Sequence, residues 1–253
     1  MPCDPQRSHS VPFAAGLYNR SQARAEKSTS EQKNAEKETM TLLRSPVELD
    51  TWIPASWEDF LQTINLPEHQ KHKAYYYNGN MRIEQMSTGF DHSTAHAFLM
   101  NLISMYCLFH GILLTPCDGC SYRKTGLDEF QPDASYYFRE NVSAVPEGTR
   151  VVDLDRYPVP DLVIEVSDTT LSDDKGNKRL QYEDLRIPEY WILDVKSASI
   201  IAFTIEKDGS SKRVEQSVAI PGFAFSLAEA ALRQRKNSNY AIASNWFMKQ
   251  LNG

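Results

Sequence analysis

Three acids and one lysine stand where side chains could do chemistry. Asp133 and Asp161 each follow a proline, and each opens a run of strand-forming residues, Ala134 to Phe138 and Leu162 to Val166. Glu165 lies inside the second run. A carboxylate in a buried strand is costly unless a cation or hydrogen bonds offset it. Side chains alternate along a strand, so Glu165 shares a face with Asp161. If the two strands are neighbours, Asp133 and Glu165 converge at one end of the sheet. Converging carboxylates suit a hard cation such as Mg2+ or Mn2+. Lys178, on the following helix, can reach back to the same point, where a lysine can orient a water or stabilise a phosphorane-like transition state. Each residue also has an ordinary structural use: Asp161 can close a turn, Asp174 can cap a helix, and a lone helix lysine is usually solvated.

The surrounding pattern must position these groups. Ser56 followed by Trp57-Glu58-Asp59 predicts a helix start, with Phe60, Leu61 and Ile64 on one face. Lys73 to Gln85 reads as a hairpin turning on Asn78-Gly79. Asp91 or Ser93 can cap a helix running to Gly111, with His92 and His96 one turn apart on a shared face. Metal ligation there lacks a third ligand, so His96 reads as a core histidine and His92, beside a loop, remains a candidate site residue. Ile112 to Tyr122 is extended, Asn141 to Tyr157 is a long loop, and Lys175–Leu185 is a helix. Glu189 to Asp194 is a further strand, Ser199–Glu206 and Lys212–Val218 form a second hairpin, and a final helix runs from about Leu227 to Arg235. The order of elements describes an α/β fold with one short mixed sheet flanked by helices.

Residues 1 to 45 are polar and carry seven Lys/Arg against five Asp/Glu, with no apolar face to dock, which predicts a disordered extension before a single domain over 46–253. The domain holds 20 basic and 28 acidic residues, and the whole chain has net charge −6, which argues against a general basic nucleic-acid coat but not against a local basic groove. No apolar run is long enough to span a membrane, and no signal pattern opens the chain. Cys117-x-x-Cys120 has no second pair to complete a zinc site and lies in an extended stretch rather than at a helix start, so a reduced, cytoplasmic thiol pair is expected.

Taken jointly, the motifs resemble the PD-(D/E)XK nuclease superfamily, and within it the Uma-type, restriction-endonuclease-like family abundant in cyanobacteria. The resemblance rests on Gln131-Pro132-Asp133, PDLVIEVS (160–167), Asp174-x-x-x-Lys178-x-x-x-Tyr182 and IPEYWILD (187–194), with MRIE (81–84) before Asp91-His92 and PGF (221–223) near the end. It covers roughly residues 50 to 235. It implies a restriction-endonuclease-like core to which the two hairpins are additions. It implies Asp133 and Glu165 as metal-binding acids. The superfamily lysine two residues after the second acid is Ser167 here, and its relocation to the helix nominates Lys178 as the catalytic lysine. Glu84, His92 and Asp161 match further family positions near the site, and Asp174 and Tyr182 match the helix motif that positions Lys178.

Three functions follow as expectations. The first is an Mg2+- or Mn2+-dependent endonuclease acting on nucleic acid, DNA before RNA, with a homodimer suggested by analogy to related nucleases. The second is a nuclease-fold module that binds nucleic acid or protein without cutting, suggested by Ser167 and the acidic total. The third is a Mg2+-dependent nucleotide phosphohydrolase.

Overall fold

The computed structural model describes residues 47–86 and 89–252. The extension expected over residues 1–45 therefore lies outside the described residues. In chain order the strands are β1 (Ile53–Pro54), β2 (Lys73–Tyr77), β3 (Asn80–Glu84), β4 (Leu114–Asp118), β5 (Ser121–Lys124), β6 (Asp128–Phe130), β7 (Ala134–Phe138), β8 (Val151–Asp153), β9 (Leu162–Ser167), β10 (Glu189–Asp194), β11 (Ser199–Ile205) and β12 (Ser211–Val214). The helices are α1 (Trp57–Ile64), α2 (Phe90–His110), α3 (Leu171–Lys175), α4 (Asn177–Asp184), α5 (Phe225–Asn237) and α6 (Tyr240–Leu251).

Instead of one short sheet, the strands form two sheets of six, ordered β1-β3-β2-β6-β5-β8 and β12-β11-β10-β9-β7-β4. The first grows from the expected N-terminal hairpin. Asn78 and Gly79 both take positive φ, 49° and 70°, as a two-residue turn of a right-twisted hairpin requires. β2 then continues the sheet through β6, and the expected loop 141–157 contributes β8, parallel to β5. The stretch 112–122, read as one extended segment, breaks at Gly119 (φ 60°), so that β4 and β5 fall in different sheets. The free thiols Cys117 and Cys120 flank that bend.

The second sheet carries the core. β9 runs parallel to β10 and antiparallel to β7, with all six of its residues buried. Leu162, Ile164 and Val166 point to the cluster built with α2, α5 and α6, including Phe98, Leu102 and Trp191. Val163 points the other way, among Tyr75, Tyr182 and Tyr190. Alternation puts Glu165 on that second face, between the two sheets.

Two helices depart from expectation in ways that matter. α2 is entered from Gly89 without a side-chain cap, so neither Asp91 nor Ser93 caps it. The helix expected over 175–185 is α4, and the acidic turn before it is a separate short helix, α3; the two part at Gly176, where a β-carbon would lie 3.1 Å from the Ser172 carbonyl oxygen. The tail after Asn239 is a full helix packed beside α2: the Asn239 side chain accepts from the Ile242 N–H, and Phe98 meets Tyr240 edge-on.

Candidate active site

The β7–β9 register sets the site. Ala134 pairs with Ile164, so Asp133, one residue earlier, falls beside the Glu165–Val166 step. The Val166 N–H donates to Asp133 Oδ2 at 2.7 Å. Asp133 Oδ1 receives the Lys73 amine at 2.5 Å, and His92 Nε2 lies 3.4 Å from Oδ2. Burial alone would raise the Asp133 carboxyl, yet Lys73 and His92 hold it well below the usual carboxylate range.

Glu165 is 1% exposed. Tyr182 and Tyr75 donate their hydroxyls to its Oε1 at 2.6 and 3.2 Å, and the Lys178 amine lies 3.5 Å from Oε2. Burial nonetheless dominates, and Lys178 and Lys73 only partly oppose it, so the Glu165 carboxyl is pushed up to about 7. Lys178, equally buried, also contacts Glu84 at 3.0 Å and Asp174 at 3.2 Å, and lies over the Tyr75 ring at 4.5 Å. Burial would lower its amine, but Glu165, Glu84 and Asp174 together raise it well above the ordinary lysine value. Asp174 is fixed in turn by the Thr170 hydroxyl at 2.8 Å. Around this group, Arg82 bridges Glu84 and Asp173, and the Trp52 indole N–H donates to Asp173 at 2.6 Å.

Seven of the eight expected residues thus meet: Glu84, His92, Asp133, Glu165, Asp174, Lys178 and Tyr182. Asp161 does not. It shares the face of Glu165 but lies four residues back, about 13 Å along the strand. There it accepts from the Phe138 N–H at 2.7 Å and the Asn141 amide at 2.8 Å, tying the end of β7 to the turn that follows. Lys178 also departs from the expected geometry: three carboxylates and a tyrosine ring enclose it, and it lines neither cleft described below. Ser167, at the position of the superfamily lysine, is buried with its hydroxyl unpartnered.

Lys73, Tyr75, Arg82 and Asp173 were missed. A signal existed for the first three. A two-residue turn at 78–79 forces Tyr77 opposite Asn80, hence Tyr75 opposite Arg82 and Lys73 opposite Glu84. Once Glu84 is suspected, its cross-strand neighbours follow.

Two clefts open on the cluster. One, of about 490 Å³, is lined by Glu84, Asp133, Glu165, Asp168 and Asp173, with Arg82 the basic residue among them. The other, of about 410 Å³, is lined by Lys73, His96, Gln131 and Asp118. Met86, His92 and Asp133 line both, so the clefts adjoin across Asp133. In the cluster five carboxylates (Glu84, Asp133, Glu165, Asp173, Asp174) face three fixed cations (Lys73, Arg82, Lys178), an excess of two negative charges when all five are ionised. Hard oxygen donors with that excess match a divalent ion in chemistry and charge. As arranged, the donors sit on ammonium groups, and among the described residues no three His, Cys, Asp or Glu side chains are grouped to hold a metal.

Residues 57–232 match the Uma2 family, described as "Putative restriction endonuclease", and the chain belongs to that family. Among solved structures it is similar to "a putative nuclease belonging to DUF820" from Anabaena variabilis, at 17% identity and a TM-score of 0.48, covering 68% of this chain and 92% of that one. A search of curated proteins finds no match. The core is mixed α/β, and the family is by its description one of putative restriction endonucleases. Among the described residues no helix is long and apolar enough to cross a membrane.

Proposed function

We propose that the protein is a divalent-cation-dependent endonuclease hydrolysing nucleic-acid phosphodiester bonds, with Asp133 and Glu165 as the acids that hold the cation. The observation that carries this reading is the pair itself. Two buried carboxylates, Asp133 just before β7 and held by the Val166 N–H, and Glu165 on the neighbouring β9, line one cleft among more acids than cations. Mg2+ or Mn2+ there would polarise a phosphoryl oxygen and lower the cost of the developing charge. Tyr75 and Tyr182 orient the Glu165 carboxylate, and Lys178 favours its ionised form. His92 and the Val166 N–H fix Asp133. Family membership supports nucleic acid as the substrate; DNA is the first polymer to test.

A second reading, a nuclease-fold module that binds without cutting, is favoured by Ser167 and by the engagement of both Asp133 oxygens. Plasmid nicking separates the two. The nuclease reading expects Mg2+- or Mn2+-dependent nicking by the full chain that disappears in Glu165→Ala. Binding without cleavage by wild type and variant alike would support the module. Turnover of free nucleotides without cleavage of polymers would point instead to a phosphohydrolase.

A further inference from the structure

A nuclease of this kind needs a cation that meets the substrate phosphate, and the cluster holds two lysines. Lys178 is enclosed. Its amine lies 3.0, 3.2 and 3.5 Å from three carboxylates and over the Tyr75 ring, and it lines neither cleft. Lys73 differs on each count. Among the described residues its amine has one hydrogen-bond partner, Asp133, and it lines the second cleft.

That cleft also differs in character from the acidic one. His96 lines it with Nε2 buried, without a hydrogen bond among the described residues and 3.8 Å from Asp118 Oδ1, and the Gln131 side chain and the Ser93 position add polar groups. Its acids are Asp133, already on Lys73, and Asp118, whose side chain is 75% exposed at the rim. An anionic strand is repelled from the first cleft and can be received in the second. The wall between them is Asp133 itself.

Resting on the nuclease reading, the geometry points to Lys73, rather than Lys178, as the lysine that contacts the substrate phosphate, with the cleft of His96 and Gln131 receiving the phosphate group of the strand beside the scissile bond. Lys178 is then a positioning residue acting through Glu165.

The alternative role for Lys73 is a plain counter-ion to Asp133, and saturating metal separates the two. A divalent ion on Asp133 replaces the charge that a counter-ion supplied, so a counter-ion variant regains cleavage when Mn2+ is saturating. A phosphate-contacting lysine is not replaced in that way. The test is cleavage of plasmid and of a labelled oligonucleotide by the full-length protein and Lys73→Met, titrated with Mn2+ to saturation, with Mn2+ binding followed by calorimetry. The expected result is undiminished Mn2+ binding with kcat on the order of 100-fold lower at saturation, the scale of losing one transition-state donor. Cleavage within threefold of wild type at saturating Mn2+ would overturn the assignment.

Where Lys73→Met lacks a cooperative unfolding transition, Lys73→Gln keeps a donor to Asp133 and is read in the same way. A wild-type chain that cleaves no nucleic acid defeats the nuclease reading rather than this contact. Lys73 is then judged by binding of a phosphorothioate oligonucleotide in Ca2+. A tenfold loss of affinity in Lys73→Met, with the logarithmic salt slope reduced by roughly 0.7–0.9, supports the contact; equal affinity and slope overturn it.

Discussion

Replacing Lys178 by methionine keeps the length of the side chain and removes its charge. Three carboxylates within 3.5 Å lose their cation in a place that is 1% exposed. Removing one partner of a buried ion pair costs about 3–5 kcal/mol, because the remaining charge is left uncompensated. In a domain of this size about 1 kcal/mol moves the thermal midpoint by roughly 2–4 °C, so a fall on the order of 10 °C is expected at pH 7.5. The pH dependence follows from the sign of the shift. The Lys178 amine is raised in the folded state, so its stabilisation is fully present below the ordinary lysine pKa and is lost only as pH rises through the higher folded value. In the variant, Glu165 and Glu84 escape their unmatched charge by taking up protons, so the deficit against wild type shrinks as pH falls from 7.5 to 5. Urea unfolding of both proteins at the two pH values measures it. A deficit below about 1 kcal/mol at pH 7.5, or one that grows toward pH 5, would refute the view of Lys178 as the cluster's central counter-ion.

Two further outcomes are expected. Burial holds the Glu165 carboxyl up to about 7, so a cation binding there competes with a proton: Mn2+ affinity should rise with pH through that value and binding should release a proton, whereas calorimetry in two buffers giving equal affinity at pH 6 and pH 8 would count against Glu165 as a ligand. Asp161→Ala removes two hydrogen-bond acceptances at the far end of β9, so it should lower stability by about 1–3 kcal/mol while nicking by the folded protein stays within threefold of wild type; a loss of cleavage without loss of stability would return Asp161 to the chemistry.

Local pattern made much of this legible. The Asn78-Gly79 turn set a hairpin register, the apolar run of β9 marked Glu165 as an anomaly, and the Asp174-to-Lys178 spacing put both on one helical side even though the helix breaks at Gly176. What stayed hidden depended on contacts between distant segments. Asp161 and Glu165 are both carboxylates on one face of the strand, and only the pairing of Ala134 with Ile164 decides which stands beside Asp133. A lysine opening a strand usually reaches solvent, so nothing local marked Lys73 as buried. The enclosure of Lys178 needed Glu84 from the first sheet and Glu165 from the second to arrive together. That the strands form two sheets is illegible for a related reason: β6 and β8 are three residues each, and β8 lies inside the stretch 141–157 that reads as a loop.

The meeting of two sheets at one charge cluster bears on how the domain assembles. The hairpin brings two cations and one acid, Lys73, Arg82 and Glu84; β9 brings Glu165 and the approach to β7 brings Asp133; α3 and α4 bring Asp173, Asp174 and Lys178. No one of these segments is neutral by itself, and none could bury its charges before the others arrive. A partly assembled domain would have to bury one of these sets without its counter-charges, which is costly. The carboxylates therefore take up their paired geometry only where the two sheets are docked on each other.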